Sequence, residues 1–113
     1  MTIIYHLARK LAWEVAQKNG TYNGTDEDRV DGFMHFSTAN QVAVSAAKHR
    51  AGEKDLLLIA ADSENLGDTL KWEISRDNAL FPHLYGSLKL ADVISATYLP
   101  LDENGLHIFP EMD

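Results

Sequence analysis

Apolar and polar residues are arranged in short blocks along this chain, and the period of each block predicts an element. Thr2 to Leu7 (TIIYHL) is rich in β-branched and aromatic residues and predicts a first strand. Residues 9–19 (RKLAWEVAQKN) place Leu11, Ala12, Val15 and Ala16 on one helical face, and Gly20 supplies a stop. The acidic stretch GTYNGTDEDRVDG, residues 20–32, predicts a long exposed loop, a kind of segment that often carries function in compact domains. Phe33 to Ser37 predicts a second strand. Thr38 then caps a helix, with Gln41 completing a T-x-x-Q capping box. Ala39, Ala43, Ala46 and Ala47 form a small-residue stripe suited to close packing on a sheet, and Gly52 ends that helix.

The second half reads as strands. Asp55 to Ala61 (DLLLIAA) is almost wholly apolar and predicts a central, buried strand. Thr69 to Ser75 alternates, with Leu70, Trp72 and Ile74 on one side and Lys71, Glu73 and Ser75 on the other. Phe81 to Tyr85 is extended by its proline and turned by Gly86; Asp92 to Leu99 is a last strand, and the tail is expected to be loosely ordered. Strands that follow two early helices argue for an α+β fold with small, mostly antiparallel sheets rather than a wound parallel sheet. At 113 residues the chain, 1–113, is expected to be one domain.

Composition narrows the chemistry. With no cysteine, disulfides, thiolate metal sites and cysteine nucleophiles are excluded. A formal charge of −7 works against polyanion binding, so nucleic acid is not an expected partner, whereas a small anionic ligand in a local pocket fits. The N-terminus (MTIIYHLARK) has no basic leader and only a short apolar run, from which a cytoplasmic protein without a membrane span is expected.

The candidate chemistry is in the histidines. Residues i and i+2 of a strand share a face, so Phe33, His35 and Ser37 point one way and Met34 and Phe36 the other. Phe81, His83 and Tyr85 likewise oppose Pro82 and Leu84. Each polar face offers a ring, an imidazole and a hydroxyl, a lining that suits a nucleoside. His6 taken alone reads as a half-buried strand residue. His49 reads as structural at a helix C-terminus, and Lys48, Arg50 and Lys54 read with it as a solvated helix end. Glu73 is a carboxylate within an apolar strand, either paired with Lys71 on a solvated face or desolvated at a site. No HExxH, P-loop or GxSxG pattern occurs, so no metal is expected.

The motifs YHLA at 5–8, DGFMHFSTANQ at 31–41, LKWE at 70–73 and FPHLYG at 81–86 together resemble a small bacterial family called domain of unknown function 952. A wider likeness joins Tyr5-His6, His35-x-Ser37 and an apolar strand ending in Asp62 to the catalytic domain of tRNA 2′-phosphotransferases, members of the ADP-ribosyltransferase superfamily. This resemblance implies two small sheets packed around a cleft that binds NAD. His6 would engage the ribose and His35 with Ser37 the nicotinamide-ribose site, while Trp72 through Asn78, His83 and Tyr85 would form the remaining wall. The cleft is then expected to comprise His6, Ser37, Thr38, Trp72 and Tyr85 as cofactor-binding residues and His35, Glu73 and His83 as catalytic ones. The implied chemistry is departure of nicotinamide and transfer of ADP-ribose to a small-molecule or phosphate acceptor. Two other readings stay open: a non-enzymatic nucleotide or metabolite sensor, and an interaction module that uses the acidic 26–31 loop.

Overall fold

The computed structural model describes residues 1–112, and its elements in chain order are β1 (Ile3–Arg9), α1 (Lys10–Asn19), β2 (Thr21–Tyr22), α2 (Asp26–Asp31), β3 (Met34–His35), α3 (Ala39–His49), β4 (Leu56–Asp62), β5 (Leu70–Ile74), β6 (Leu80–Leu84), β7 (Leu88–Lys89) and β8 (Val93–Leu99). The apolar run at β4 is central, paired antiparallel with β1 on one side and β8 on the other. A second antiparallel sheet has the order β3-β6-β5, and β2 pairs with β7. The fold is therefore α+β with antiparallel sheets and three helices among the described residues.

Alternation along β1 divides the core. Ile4 and Ala8 share a face with Ile59 and Ala61, packing with Trp13, Tyr22, Phe36 and Leu84. Tyr5 faces the other way with Leu58, Ala60 and Val42 of α3. Each large apolar side chain sealed in these layers contributes about 1.5–3 kcal/mol relative to exposure.

The chain at 33–37 joins the two larger sheets. Met34 and His35 pair with Leu84 and His83 of β6, and the Phe36 amide donates to the Pro82 carbonyl at 3.0 Å. Ser37 then exchanges two backbone hydrogen bonds with Tyr5 of β1, at 2.7 and 2.8 Å. One extended segment thus crosses from one sheet to the other, and this crossing brings His35 and Ser37 beside both β1 and β6.

The expected exposed loop at 20–32 is instead ordered. Tyr22 of β2 is buried, and Thr25 caps α2 by accepting the Asp28 amide while Asp28 accepts the Thr25 amide. Reciprocal capping satisfies donors that an acidic stretch would otherwise leave to water. The face of α1 is also corrected. Trp13 and Ala16 are buried, while Leu11 and Val15 are 77% and 58% exposed, because the indole packs on the Tyr22 ring at 5.3 Å and its larger area decides the orientation. In α3 the buried residues are Val42 and Ala46, and Ala43 and Ala47 face solvent. The tail, expected to be loose, folds back: Leu101 bridges His107, the Gly52 amide donates to Gly105, and Phe109 and Met112 pack on the second core layer.

The alternation of β5 is kept, with Trp72 and Ile74 on one face and Lys71 and Glu73 on the other. Trp72 and Ile74 are 41% and 67% exposed, and Glu73 points to β6. This strand lies at the sheet edge, where Leu70 packs on the first core layer while Trp72 and Ile74 on the same face stay exposed, so alternation alone does not say how far each side is covered. No helix among the described residues is long and apolar enough to cross a membrane.

Candidate functional site

A cavity of about 260 Å³ opens beside the crossing segment, and His6, His35 and His83 all line it. Their rings come from β1, β3 and β6, brought together by the pairings of 33–37. The three differ sharply in chemistry.

His6 is sealed. Its Nδ1 lies 2.7 Å from the His35 carbonyl, which only accepts, so Nδ1 carries the proton and donates. Burial holds the imidazole below its ordinary pKa, against the pull of Asp28 and the His35 carbonyl. The neutral ring's Nε2 therefore accepts, and the Tyr22 hydroxyl donates to it at 2.8 Å. Both nitrogens are thus engaged by protein groups.

His35 is clamped between carboxylates. Nδ1 lies 2.5 Å from Asp28 Oδ1 and Nε2 lies 3.1 Å from Asp31 Oδ2. The Asp28 hydrogen bond raises its pKa, with burial opposing and the charges of Asp28 and Asp31 adding, so the ring is held as an imidazolium. Burial pushes the Asp28 carboxyl up, but the His35 hydrogen bond, the neighbouring His6 and the Thr25 and His35 amides outweigh it, and its pKa is lowered. Gly24 makes room for this carboxylate: it has φ 88°, and a Cβ there would come within 2.7 Å of Asp28 Oδ2. Because the folded-state pKa of His35 is raised, its contribution to stability is fully present below about pH 6.5, the unfolded value, and is lost as pH rises through the folded value. Urea denaturation of His35→Gln against wild type is expected to show a larger destabilisation at pH 6 than at pH 9. A penalty that is flat or grows with pH contradicts the clamp.

His83 is the ring with a free nitrogen. Its Nδ1 donates to Glu73 Oε1 at 2.8 Å, and the Tyr85 hydroxyl donates to the same oxygen at 2.7 Å. Those two donors, Tyr85 first, hold Glu73 below the ordinary carboxylate range. The bond places a proton on Nδ1 and leaves Nε2 without a protein partner among the described residues. Phe33 stacks on the ring at 4.1 Å and also touches His35 and Tyr85.

Of the residues expected at the site, His6, His35, Ser37 and His83 line the cavity, and Glu73 and Tyr85 join it through His83. Trp72 is not brought there, because the pleat of β5 turns it to the opposite face from Glu73. Thr38 does not line the cavity either: its backbone starts α3, where its amide donates to Gln41 Oε1 at 3.0 Å. Residues not expected there also line it, among them Asp28, Asp31, Ser45, Arg50, Arg76 and His49, which the sequence reads as structural. The T-x-x-D spacing of Thr25 and Asp28 is a capping-box signal that marks Asp28 as ordered. Arg50, read as part of a solvated helix end, lies on the wall with its guanidinium 2.9 Å from Glu27.

A family model described as "Protein of unknown function (DUF952)" matches residues 7–96. Among solved structures, the crystal structure of protein CC0527 from Caulobacter crescentus is 39% identical, with 95% of this chain and 94% of that chain covered and a TM-score of 0.92. A double mutant of that protein is 38% identical over the same shares, 95% and 94%, also with a TM-score of 0.92. The solution structure of CC0527 is 40% identical over 94% of this chain and 91% of that one, with a TM-score of 0.84. No curated protein matches the chain.

Proposed function

We propose, taking as premise that the chain belongs to the DUF952 family, that it is an ADP-ribosyltransferase-like protein whose cavity binds NAD and transfers ADP-ribose to a small-molecule or phosphate acceptor. The observation that carries this reading is the convergence of His6, His35 and His83 on one cavity. The donor set fits a sugar: Ser37 offers a hydroxyl and His83 Nε2 an acceptor, with Phe33 stacked on the His83 ring to hold it in place. A volume of about 260 Å³ is below the range that encloses drug-sized ligands, so it fits one end of a dinucleotide with the rest outside.

Held there, NAD supplies an ADP-ribosyl group through its nicotinamide–ribose bond. The protein's part is positional and electrostatic. His83 takes the acceptor's proton at Nε2, while Glu73 keeps Nδ1 protonated, orients the ring and stabilises the imidazolium. His35, with both nitrogens committed to aspartates, contributes a fixed positive charge and no proton transfer.

Titration calorimetry with NAD and ADP-ribose, run beside an assay for released nicotinamide, is expected to give millimolar or tighter binding and measurable release. Absence of heat at millimolar ligand would end this reading. The clamp on His35 favours a second one, binding without turnover, which predicts heat with no nicotinamide released.

A further inference from the structure

We infer that Arg76, Ser45 and Ser37 form a subsite for a phosphoryl group at one end of this cavity, so that its ligand is phosphorylated. The inference deepens the proposed function, and it rests on that reading only in taking the cavity as a small-ligand site.

The first argument is charge. Two guanidinium groups line the cavity, and they are not equivalent. Arg50 is neutralised by Glu27 at 2.9 Å and lies 3.7 Å from Glu53. The aspartates on the wall, Asp28 and Asp31, are both drawn to His35, at 2.5 and 3.1 Å, and neither lies within ion-pair distance of Arg76. Among the described residues the only carboxylate within ion-pair distance of Arg76 is Asp77, 3.8 Å away and turned into solvent, although the Arg76 side chain is just 20% exposed. A cation withdrawn this far from water without a close counter-ion is a standing site for an anion.

The second argument is preorganisation. Arg76 sits on the β5–β6 hairpin turn, which is closed by the Ser75 amide donating to the Ala79 carbonyl at 2.9 Å. Asp77 and Asn78 hold left-handed backbone at φ 58° and 59°, a conformation their residue types adopt more readily than most. The guanidinium lies 5.0 Å from the centre of the Phe81 ring, two residues before His83 on the same face of β6. Gln41 Nε2 donates to the Leu80 carbonyl at 2.9 Å, fastening α3 to this hairpin one helical turn before Ser45.

The third argument is the donor set. Arg76 Nη1 donates to Ser45 Oγ at 3.0 Å, and Ser45 Oγ lies 3.3 Å from Ser37 Oγ. Because Ser45 accepts from arginine, its own proton is free for Ser37 or for a ligand oxygen. A guanidinium fork and two hydroxyls approach from different elements. They match the three terminal oxygens of a phosphoryl group better than the two coplanar oxygens of a carboxylate.

Inorganic phosphate titrated into the ¹⁵N-labelled full chain tests this through the Arg76 side-chain Nε–H signal and the Ser37 and Ser45 amides. These are expected to shift together and saturate. Arg76→Gln is expected to weaken phosphate by about tenfold or more, and Arg76→Lys, which keeps the charge but loses the fork, by less. Lys18→Gln removes equal charge outside the cavity and is expected to change nothing. Far-ultraviolet circular dichroism confirms that each variant is folded. The subsite is overturned if Arg76 shows no saturable shift, if Arg76→Gln and Arg76→Lys both bind phosphate as wild type does, or if acetate saturates the site as tightly as phosphate. Titrating NAD into the same samples separates the two readings. Phosphate binding without a response to NAD keeps the subsite and ends the NAD reading; undiminished NAD affinity in Arg76→Gln keeps NAD and ends the subsite.

Discussion

Replacing Asp28 with alanine is expected to lower stability by about 3 kcal/mol, a fall in Tm of roughly 10–15 °C. One buried carboxylate serves several donors at once. It accepts the Thr25 amide at 2.9 Å, the His35 amide at 3.2 Å and His35 Nδ1 at 2.5 Å, and it lies 3.8 Å from His6 Nε2. Truncation removes half of the α2 capping box and leaves the His35 imidazolium with Asp31 alone, its Nδ1 without an acceptor in a part-buried pocket, and leaving such a donor unmatched costs more than the bond itself contributes. The pH dependence has a definite sign. The folded-state pKa of Asp28 is lowered, so its contribution is present above about pH 4, the unfolded value, and is lost as pH falls through the folded one. The gap between wild type and Asp28→Ala should therefore narrow in acid. Urea denaturation across pH 3 to 8 measures it, and a loss under about 1 kcal/mol at neutral pH would show that the network is dispensable.

The largest expected effect on activity is at His83. Under the proposed reading, His83→Ala should slow nicotinamide release by about 10²–10⁴-fold, the usual contribution of a positioned general base. The ring is buried on Phe33, so the folded state of the variant should be checked by its melting curve. Glu73→Gln offers a cleaner comparison. It keeps the shape but can present an amide N–H to Nδ1, favouring the tautomer whose Nε2 carries a proton and cannot accept one. Its rate should fall as well, by about 10-fold or more, with substrate binding little changed. Equal rates for wild type and His83→Ala would remove proton transfer from His83.

How much of this was written in the sequence depends on the residue. The apolar run of β4 could only be a central strand, and the pleat rule correctly put His35 with Phe33 and His83 with Tyr85. Nothing local says which side of an edge strand meets a cavity, so the sequence put both Trp72 and Glu73 at the site although the pleat lets only Glu73 reach His83. The charged wall was equally hidden. Arg76 resembles any surface residue in sequence, and the capping-box spacing marks Asp28 as ordered without saying that it faces His35. The acidic 20–32 segment misled because its polarity outweighed the capping-box spacing within it. The ADP-ribosyltransferase likeness came from motifs. The structural neighbours, variants and forms of a single bacterial protein, bear on the fold and on no chemistry.

The outward turn of Trp72 has a practical result. The chain's two indoles stand in opposite surroundings: Trp13 is 4% exposed against Tyr22, Trp72 is 41% exposed on edge strand β5, and neither lines the histidine cavity. Tryptophan emission is therefore a composite of one shielded and one hydrated fluorophore. Unfolding moves the first toward the second, so the spectrum reads the integrity of the core through indoles that form no part of the cavity wall.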